Sequence, residues 1–476
     1  PDIALTPLPA LLARVRFHFR QRPCYTRLRR SIPTISSSGG GVRTAPHLPR
    51  RRREGAKPES PATGIKHSGW QRSLLSGAAP PDRLPRAPQA TSADMHKFLK
   101  RPADGGGAAG SEGKAAKLDD GGGGPVPEPR TLMTWNCNGL TGRANSEAQA
   151  EELRAMVATH APDVLALQEV RMPASAPKGA KKGDGQPRSR GTPNSTTPAG
   201  RKDVDTVGRL LRTGDLANYR VFYSLSDWKY AGSALLVRRP CAPARVRYSL
   251  EEGAGAGKHH PDGRVIIAEF ETFDLLATYS PNNGWSEESF ARRRQWDAEV
   301  TAFLRRQREA GRPVVYVGDL NVAPEDIDLS HPEFFRTREP EGAGRGGPKP
   351  PAPQDPDDRG QPGCTTNERL RFSRMLEAGG MLDAYRHQHG DERGDDEAAF
   401  AAGPNFTWRG SPGVQVAEHG RYYAKAMRID HLLVSTELQQ RVLSADILGH
   451  GPDMQGFLGS DHCPMMLTLS KPPPGT

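Results

Sequence analysis

Residues Pro162 to Arg171 read PDVLALQEVR. Between the turn-forming pair Pro162–Asp163 and the charged end at Glu169 and Arg171 lies the unbroken apolar stretch Val164–Leu167. A short apolar run with polar punctuation on both sides reads as a buried strand. Just before it, SEAQAEELRAMVATH (Ser146 to His160) places Leu153, Met156 and Val157 at helical spacing. Earlier still, TLMTWNCNGL (Thr131 to Leu140) reads as a strand that ends in polar residues. The three together make a strand–helix–strand unit, and order begins near Arg130.

Downstream the alternation continues. VFYSL (Val221), SALLVRR (Ser233), RVIIAEF (Arg264) and DLLATYS (Asp274) are strand-like. A helix from about Ser286 puts Trp296, Val300, Phe303 and Leu304 on one face and stops at Gly311. PVVYVGDLNVA (Pro313 to Ala323) is a buried strand, and CTTNERLRFSRMLEAGG has Thr365 and Glu368 at capping-box spacing, with Gly379 suiting the helix stop. RIDHLLVS and CPMMLTL supply the last strands. The pattern predicts one α/β domain over residues 130–472. Three stretches without periodicity, 172–205, 338–362 and 390–404, read as low-complexity inserts that stay out of the core.

The 476 residues carry 66 Lys+Arg against 55 Asp+Glu, a formal charge of +11. Residues 1–94 alone hold 17 basic and 5 acidic side chains, so the remainder is nearly neutral and the basic balance belongs to a tail. Residues 1–129 read as a disordered basic and Gly-rich tail. Its first 94 residues are Arg-rich, Ser-rich and poor in acids. They suit either an organelle transit peptide, for a mitochondrion or plastid, or untranslated upstream sequence, since the first methionine is Met95. After Met95, Lys100 and Arg101 precede Lys114 and Lys117 at the spacing of a bipartite nuclear import signal, which makes the nucleus the expected destination. No apolar run reaches the ~18–20 residues that cross a bilayer, so no membrane partner is expected. Five scattered cysteines without a C-x-x-C pair exclude a disulfide scaffold and a structural zinc site.

The chemistry shows in where polar residues interrupt apolar strands. Asn136 and Asn138, Glu169, Asp319 and Asn321, Asp430, and Asp461 with His462 all sit at or beside strand ends. Alternation puts Asn136 with Asn138, and Asp319 with Asn321, on one face. If these ends share a rim, carboxylates, amides and one imidazole converge. Hard oxygen donors without cysteine suit Mg²⁺, or Mn²⁺, better than zinc, and the partner of such a metal is usually a phosphate.

The segment PDVLALQEVR resembles the first signature of the exonuclease III family of abasic-site (AP) endonucleases at every defined position. The resemblance continues, in order, through WNCNGL, KYAGSALL, DGRVIIAEFETFDLLATYSPNNG, RRRQWD, GDLNVAPEDIDL, LDAYRH, NFTW, RIDHLLVS and LGSDHCP. It implies a DNase I-like four-layer sandwich, two packed mixed β-sheets flanked by helices, in a monomer. The implied activity is Mg²⁺-dependent hydrolysis of the phosphodiester 5′ to an abasic site in double-stranded DNA, with trimming of blocked 3′ ends or 3′–5′ exonuclease action. Two alternatives stand beside it: a phosphodiesterase of the same superfold acting on RNA or a small phosphorylated molecule, and an inactive DNA-binding regulatory protein.

Carried over residue by residue, the resemblance makes Glu169 the main metal carboxylate, with Asn136 nearby, Asp461 as a second ligand, and Asp319, Asn321 and His462 also in the metal set. Asp319 resembles the residue that activates water and Asn321 its orienting partner. His462, held by Asp430, would contact the scissile phosphate, which Tyr279 and Asn282 would position. Asp319, His462 and Tyr279 all remain candidates for the proton acceptor. Trp408, Met427 and Ile429 would form an apolar pocket for the baseless sugar, while Lys229 and Tyr230, with Arg292 to Arg294, would grip DNA. Departures from the family pattern are Met427 in place of an aromatic, Ala424 and Ala426 in place of Asn and Gly, Ala384 in place of Ser or Thr, Arg409 after Trp408, and Trp285 after PNNG.

Overall fold

The computed structural model describes residues 126–472, except 182, 256, 340–350, 412 and 414. Residues 1–125, and with them the expectations of a disordered tail, a transit peptide and a nuclear import signal, lie outside the described residues.

The chain opens with β1 (Thr131–Asn136), α1 (Leu140–Asn145), α2 (Glu147–His160) and β2 (Val164–Gln168), then β3 (Ala174–Ser175), β4 (Ser189–Pro193) and α3 (Pro198–Leu211). There follow β5 (Tyr219–Ser224), β6 (Ser233–Arg238), β7 (Arg245–Arg247), β8 (Val265–Glu269), β9 (Asp274–Tyr279), α4 (Glu287–Glu309) and β10 (Val314–Asp319). The last part holds α5 (Pro332–Arg336), α6 (Thr366–Gly379), β11 (Met381–Asp383), α7 (Ala384–His389), α8 (Glu397–Ala402), β12 (Asp430–Ser435), β13 (Val442–Ile447) and β14 (Met465–Leu469).

Two six-stranded mixed sheets result, ordered β13-β14-β1-β2-β6-β5 and β11-β12-β10-β9-β8-β7. Each has one parallel pair at its centre, β1 with β2 and β9 with β10, and antiparallel neighbours outside. The central strands are buried on both faces, which is why their sequences run apolar without alternation. Between the sheets lies one core, with Leu132, Val164, Ala166 and Leu235 from the first meeting Ile266, Leu275, Val315, Val317 and Leu432 from the second. The outer face of the first sheet carries Met133, Trp135, Leu165 and Leu167 against Leu153 and Val157 of α2 and Val207 and Leu210 of α3. On the second sheet, Leu276, Val314 and Tyr316 meet Trp296, Val300, Phe303 and Leu304 of α4 and Phe372 and Met375 of α6. Helix, sheet, sheet, helix: the four-layer sandwich is the expected fold. Among the described residues no helix is long and apolar enough to cross a membrane.

Local signals act where the text places them. The Thr365 hydroxyl accepts from Glu368 N and completes a capping box, while the left-handed residue that stops α6 is Gly380 (φ 59°), one beyond the expected Gly379.

The insert at 172–205 differs from its expectation. It holds the β3–β4 ribbon and the start of α3, capped by Thr197, and it buries Met172, Ala174 and Ala176. Polar composition concealed these few anchors, and cutting the segment at 205 severed the helical run Val207–Leu210 from its N-terminal turn. The described part of 338–362 also departs, because Asp358 is buried there. In 390–404 the short helix α8 buries none of its residues.

Candidate active site

Strand register assembles the site. In the second sheet Asp319, the last residue of β10, pairs with Tyr279 of parallel β9 on one side and with Asp430 of antiparallel β12 on the other. In the first sheet Asn136 ends β1 opposite Gln168 of β2, so Glu169 follows directly. Both parallel pairs thus present their carboxyl ends at one rim, where α/β sheets characteristically bind ligands.

One amide joins the two sheets. Asn136 Nδ2 donates to Glu169 Oε1 at 3.0 Å and to Asp319 Oδ2 at 2.9 Å, and Asn136 is fully buried. Asp319 Oδ1 accepts the Asn321 N–H at 2.9 Å, and Asp319 Oδ2 lies 3.8 Å from His462 Nε2. His462 Nδ1 in turn is 2.8 Å from Asp430 Oδ2. Asp430 is oriented by Thr407, whose hydroxyl accepts the Ile429 and Asp430 amides at 3.0 and 3.1 Å. Several of these residues sit in left-handed backbone, Asn138 at φ 46°, Glu169 at 52° and Asn321 at 50°. Asn tolerates that region; for Glu169 it is a strained conformation of the kind that gathers at functional sites.

Burial and neighbouring charges shift the titrating groups of the rim. Burial pushes the Asp319 carboxyl up to about 7; His462 pulls against this, while Asp430 and Glu169 add to it. Burial alone would lower His462, but the Asp430 and Asp319 carboxylates outweigh it and push the imidazole up to about 10. Glu169 is held below the usual carboxylate range, because Arg171, Asn136 and Tyr279 overcome the cost of its burial. Burial, then Glu169 and Asp319, raise the Tyr279 phenol well above its ordinary value.

Oxygen donors dominate the rim, and the Asp430 Oδ1 atom is buried without a hydrogen-bond partner. Such a donor set fits a metal ion. Donor atoms of Asp319, Asp430 and His462 lie within 4.8 Å of one another. Within that trio His462 Nδ1 is engaged by Asp430, and its Nε2 faces Asp319. Asn321 is also engaged: its Nδ2 donates to Ser280 O at 3.0 Å and its Oδ1 accepts from Asn282 at 3.2 Å. Asp461 accepts from Asn138 Nδ2 at 2.7 Å and from Trp408 Nε1 at 3.3 Å, and so joins the rim to the apolar residues beside it.

Trp408, Met427 and Ile429 do gather. Met427 is 1% exposed in an apolar cluster with Leu329, Phe335, Tyr422 and Ile429, and Trp408 packs against that cluster edge-on to Tyr422. Half-buried Trp408 reaches the rim through Asp461. Ala424, nearby, adopts φ 57°. Asn and Gly accept that backbone at lower cost than Ala, so Ala424→Asn is expected to raise stability by about 0.5 kcal/mol, read as a higher urea midpoint.

The DNA-contact expectations divide. Lys229 pairs with Asp203 at 2.6 Å and stays half exposed, and the Tyr230 hydroxyl accepts from Arg264 Nη2 at 2.6 Å. Arg293, by contrast, is buried: it donates to Leu320 O, Asn321 O and Pro281 O at 2.9 to 3.1 Å and pairs with Asp297. It anchors the Asn321 loop and cannot grip DNA.

Three groups escaped sequence reasoning. Arg171 clamps Glu169, Arg264 spans Tyr230 and the Tyr279 carbonyl (3.1 Å), and the Ser460 hydroxyl donates to Asn136 O at 2.7 Å. All three lie inside motifs quoted above, but nothing in spacing marks an Arg or Ser as set against the site.

The Endonuclease/Exonuclease/phosphatase family model matches residues 133–462. The chain is 42% identical over 347 residues to a protein of Arabidopsis thaliana named "DNA-(apurinic or apyrimidinic site) endonuclease", covering 72% of this chain and 86% of that one. It is 33% identical to a protein of the same name from Plasmodium berghei, over 71% of this chain and 63% of that one. Among solved structures it is similar to the AP endonuclease LMAP from Leishmania major, with a TM-score of 0.48 and 20% identity over 72% of this chain and 88% of that one. Signature segments, rim geometry and family match agree, and the chain belongs to the Endonuclease/Exonuclease/phosphatase family and, within it, to the exonuclease III type of AP endonucleases.

Proposed function

We propose that the protein is a Mg²⁺-dependent DNA-repair endonuclease that hydrolyses the phosphodiester 5′ to an abasic site, leaving a 3′-hydroxyl and a 5′-deoxyribose phosphate. The observation that carries this reading is the single hydrogen-bonded rim Glu169–Asn136–Asp319, continued by His462 and Asp430, drawn from both sheets. In-line displacement at phosphorus needs a base for the water proton and positive charge at the developing equatorial oxygens. The neighbouring carboxylates push the His462 imidazole up to about 10, and burial with Glu169 and Asp319 raises the Tyr279 phenol, which supports Asp319 as the acceptor. The His462 imidazolium, fixed by Asp430, then faces the phosphate as a charged donor. Glu169, with Asn136 and Asp461 beside it, would hold Mg²⁺ (or Mn²⁺), which supplies Lewis-acid charge to a phosphate oxygen. A relative from Streptococcus pneumoniae named "Exodeoxyribonuclease", 25% identical over 98% of its length, supports exonuclease action on DNA as a companion activity.

The test is cleavage of a duplex bearing a tetrahydrofuran abasic analogue during a Mg²⁺ titration, beside an RNA oligonucleotide and a small phosphodiester. The reading expects Mg²⁺-dependent incision abolished by EDTA, and a Glu169→Gln variant that needs roughly 10–100-fold more Mg²⁺ for half its maximal rate. Cleavage of RNA or the small diester but not of the abasic duplex would replace this reading with the alternative substrate class. An unshifted Mg²⁺ requirement in Glu169→Gln would remove Glu169 from the metal.

A further inference from the structure

Positive charge in the domain is concentrated in one segment. Residues 172–205 carry seven Lys and Arg against three Asp, net +4, while the other residues of 130–472 sum to −5. Duplex DNA presents one phosphate charge per about 1.7 Å of its axis, so a domain of that composition draws its attraction for DNA from local patches of the opposite sign. The resemblance that marks the rest of the domain does not extend to this insert.

The segment leaves the catalytic rim directly and is built onto one side of it. Buried Met172 comes three residues after Glu169, and Ala174 and Ala176 are buried beyond it. Ala174 N donates to Ser226 O at 2.7 Å and Leu225 N to Arg190 O at 3.0 Å, so both strands of the β3–β4 ribbon are fastened just past β5, the edge strand of the first sheet. Helix α3 closes the segment, with Val207 and Leu210 against that sheet's outer face.

Two of its three acids hold this frame. Asp184 accepts from Gln186 N at 3.0 Å and from Arg188 Nη2 at 2.9 Å, which fixes the turn between β3 and β4. Asp203, mostly buried, pairs with Lys229 at 2.6 Å, and Arg190 likewise pairs with Asp227 at 2.7 Å. The outward charge that remains is mainly cationic. Lys178, Lys181 and Lys202 are exposed, and among the described residues none of their ammonium groups has an acidic partner.

We infer that this ordered basic ribbon is a second DNA-binding surface, which takes the phosphates of intact duplex on one flank of the lesion. The inference rests on the proposed DNA endonuclease function and adds to it a substrate requirement: paired DNA on that flank, so that a lesion near a duplex end on that side is bound less well. Chain length sets the range. Lys178 follows Glu169 by nine residues, which span at most about 32 Å, less than the ~34–36 Å of one duplex turn. An ammonium binds phosphate as a point charge and reads no sequence, which suits a surface that must accept any DNA around the lesion.

The test uses the full chain carrying Asp319→Asn, so that substrate is bound without being cut, and a duplex with one tetrahydrofuran analogue and about ten base pairs, one turn, on each flank. Anisotropy titrations across a salt series compare the parent with a ribbon variant, Lys178→Ser, Lys181→Ser and Lys202→Ser together. A control of equal charge change joins Arg305→Ser, Arg374→Ser and Lys471→Ser, three exposed cations from other parts of the domain. Each lost phosphate contact reduces the slope of log K against log salt by about 0.9, so the ribbon variant is expected to lose about 2–3 from the parent's slope and the control less than about 1. The same three lysines changed to Arg should keep the parent's slope. Trimming one flank to a few base pairs should abolish the difference between ribbon variant and parent, and trimming the other should leave it. An unchanged slope in the ribbon variant, an equal loss in the control, no recovery with Arg, or a difference indifferent to both flanks would overturn the ribbon as a DNA-binding surface. Failure of the parent to bind the abasic duplex at all would overturn the DNA reading itself, whereas tight binding with an unaltered slope removes the ribbon alone.

Discussion

Asp319→Asn should lower the single-turnover rate of incision by roughly 10²–10⁴-fold, the range expected when a general base is removed, with little change in substrate affinity. The substitution keeps the size of a side chain that is 1% exposed. It removes one negative charge from a rim that also holds Asp430 and Glu169, so folding is expected to be unharmed and the melting temperature to stay within a few degrees. An amide oxygen still accepts the Asn321 N–H, but an amide has no basic oxygen to take a proton from water. Rate and melting temperature together separate chemistry from folding. A rate within tenfold of the parent would exclude Asp319 as the proton acceptor and return that role to His462 or Tyr279.

The second large effect is on stability. Arg428 is 1% exposed and donates to Asp328 Oδ1 at 2.7 Å, while its Nη1 lies 2.8 Å from Asp383 Oδ2. Asp328 also receives Arg386. This network anchors the strand that delivers Met427, Ile429 and Asp430 to the site. Arg428→Met leaves two buried carboxylates short of a cation, and breaking a buried pair this way costs about 3–5 kcal/mol. Urea unfolding should show the loss. The pH dependence carries a second signature. Against the cost of burial, Arg428 holds both Asp328 and Asp383 below the usual carboxylate range, so in the parent their contribution is complete above about pH 4 and is lost as pH falls through their depressed folded values. Without Arg428, burial is expected to raise those carboxyls, so the penalty of the variant should shrink on acidification. A penalty under 1 kcal/mol at neutral pH would show that the network does not hold the strand.

Sequence alone disclosed the fold wherever burial is written as an uninterrupted apolar run. Val164–Leu167 and Val314–Val317 are such runs, and both become central strands covered on both faces. Residues of the site were legible for a related reason: Asn136, Glu169, Asp319 and Asp430 are polar groups at or beside the ends of apolar strands, and strand register places them side by side. What stayed hidden depends on non-local pairing. Arg428 and Asp328 are 100 residues apart, and no periodicity shows that an Arg is buried against that carboxylate and not solvated. Arg293 misled for the same reason, since a run of three arginines on a helix suggests a DNA grip until the carbonyls of Leu320 and Asn321 are seen to need a donor. The 172–205 segment was concealed by composition, its few buried anchors being scattered among Gly, Pro, Ser and Lys.

The measurement that bears most directly on the whole account is the mapping of cut position and end groups on a 5′-labelled duplex with one tetrahydrofuran residue, against the undamaged duplex, under single-turnover conditions in Mg²⁺. The account predicts one product, cut immediately 5′ to the analogue with a 3′-hydroxyl terminus, formed at least a hundredfold faster than any cut in undamaged DNA. Equal cleavage of both duplexes, or a cut 3′ to the analogue, would contradict it.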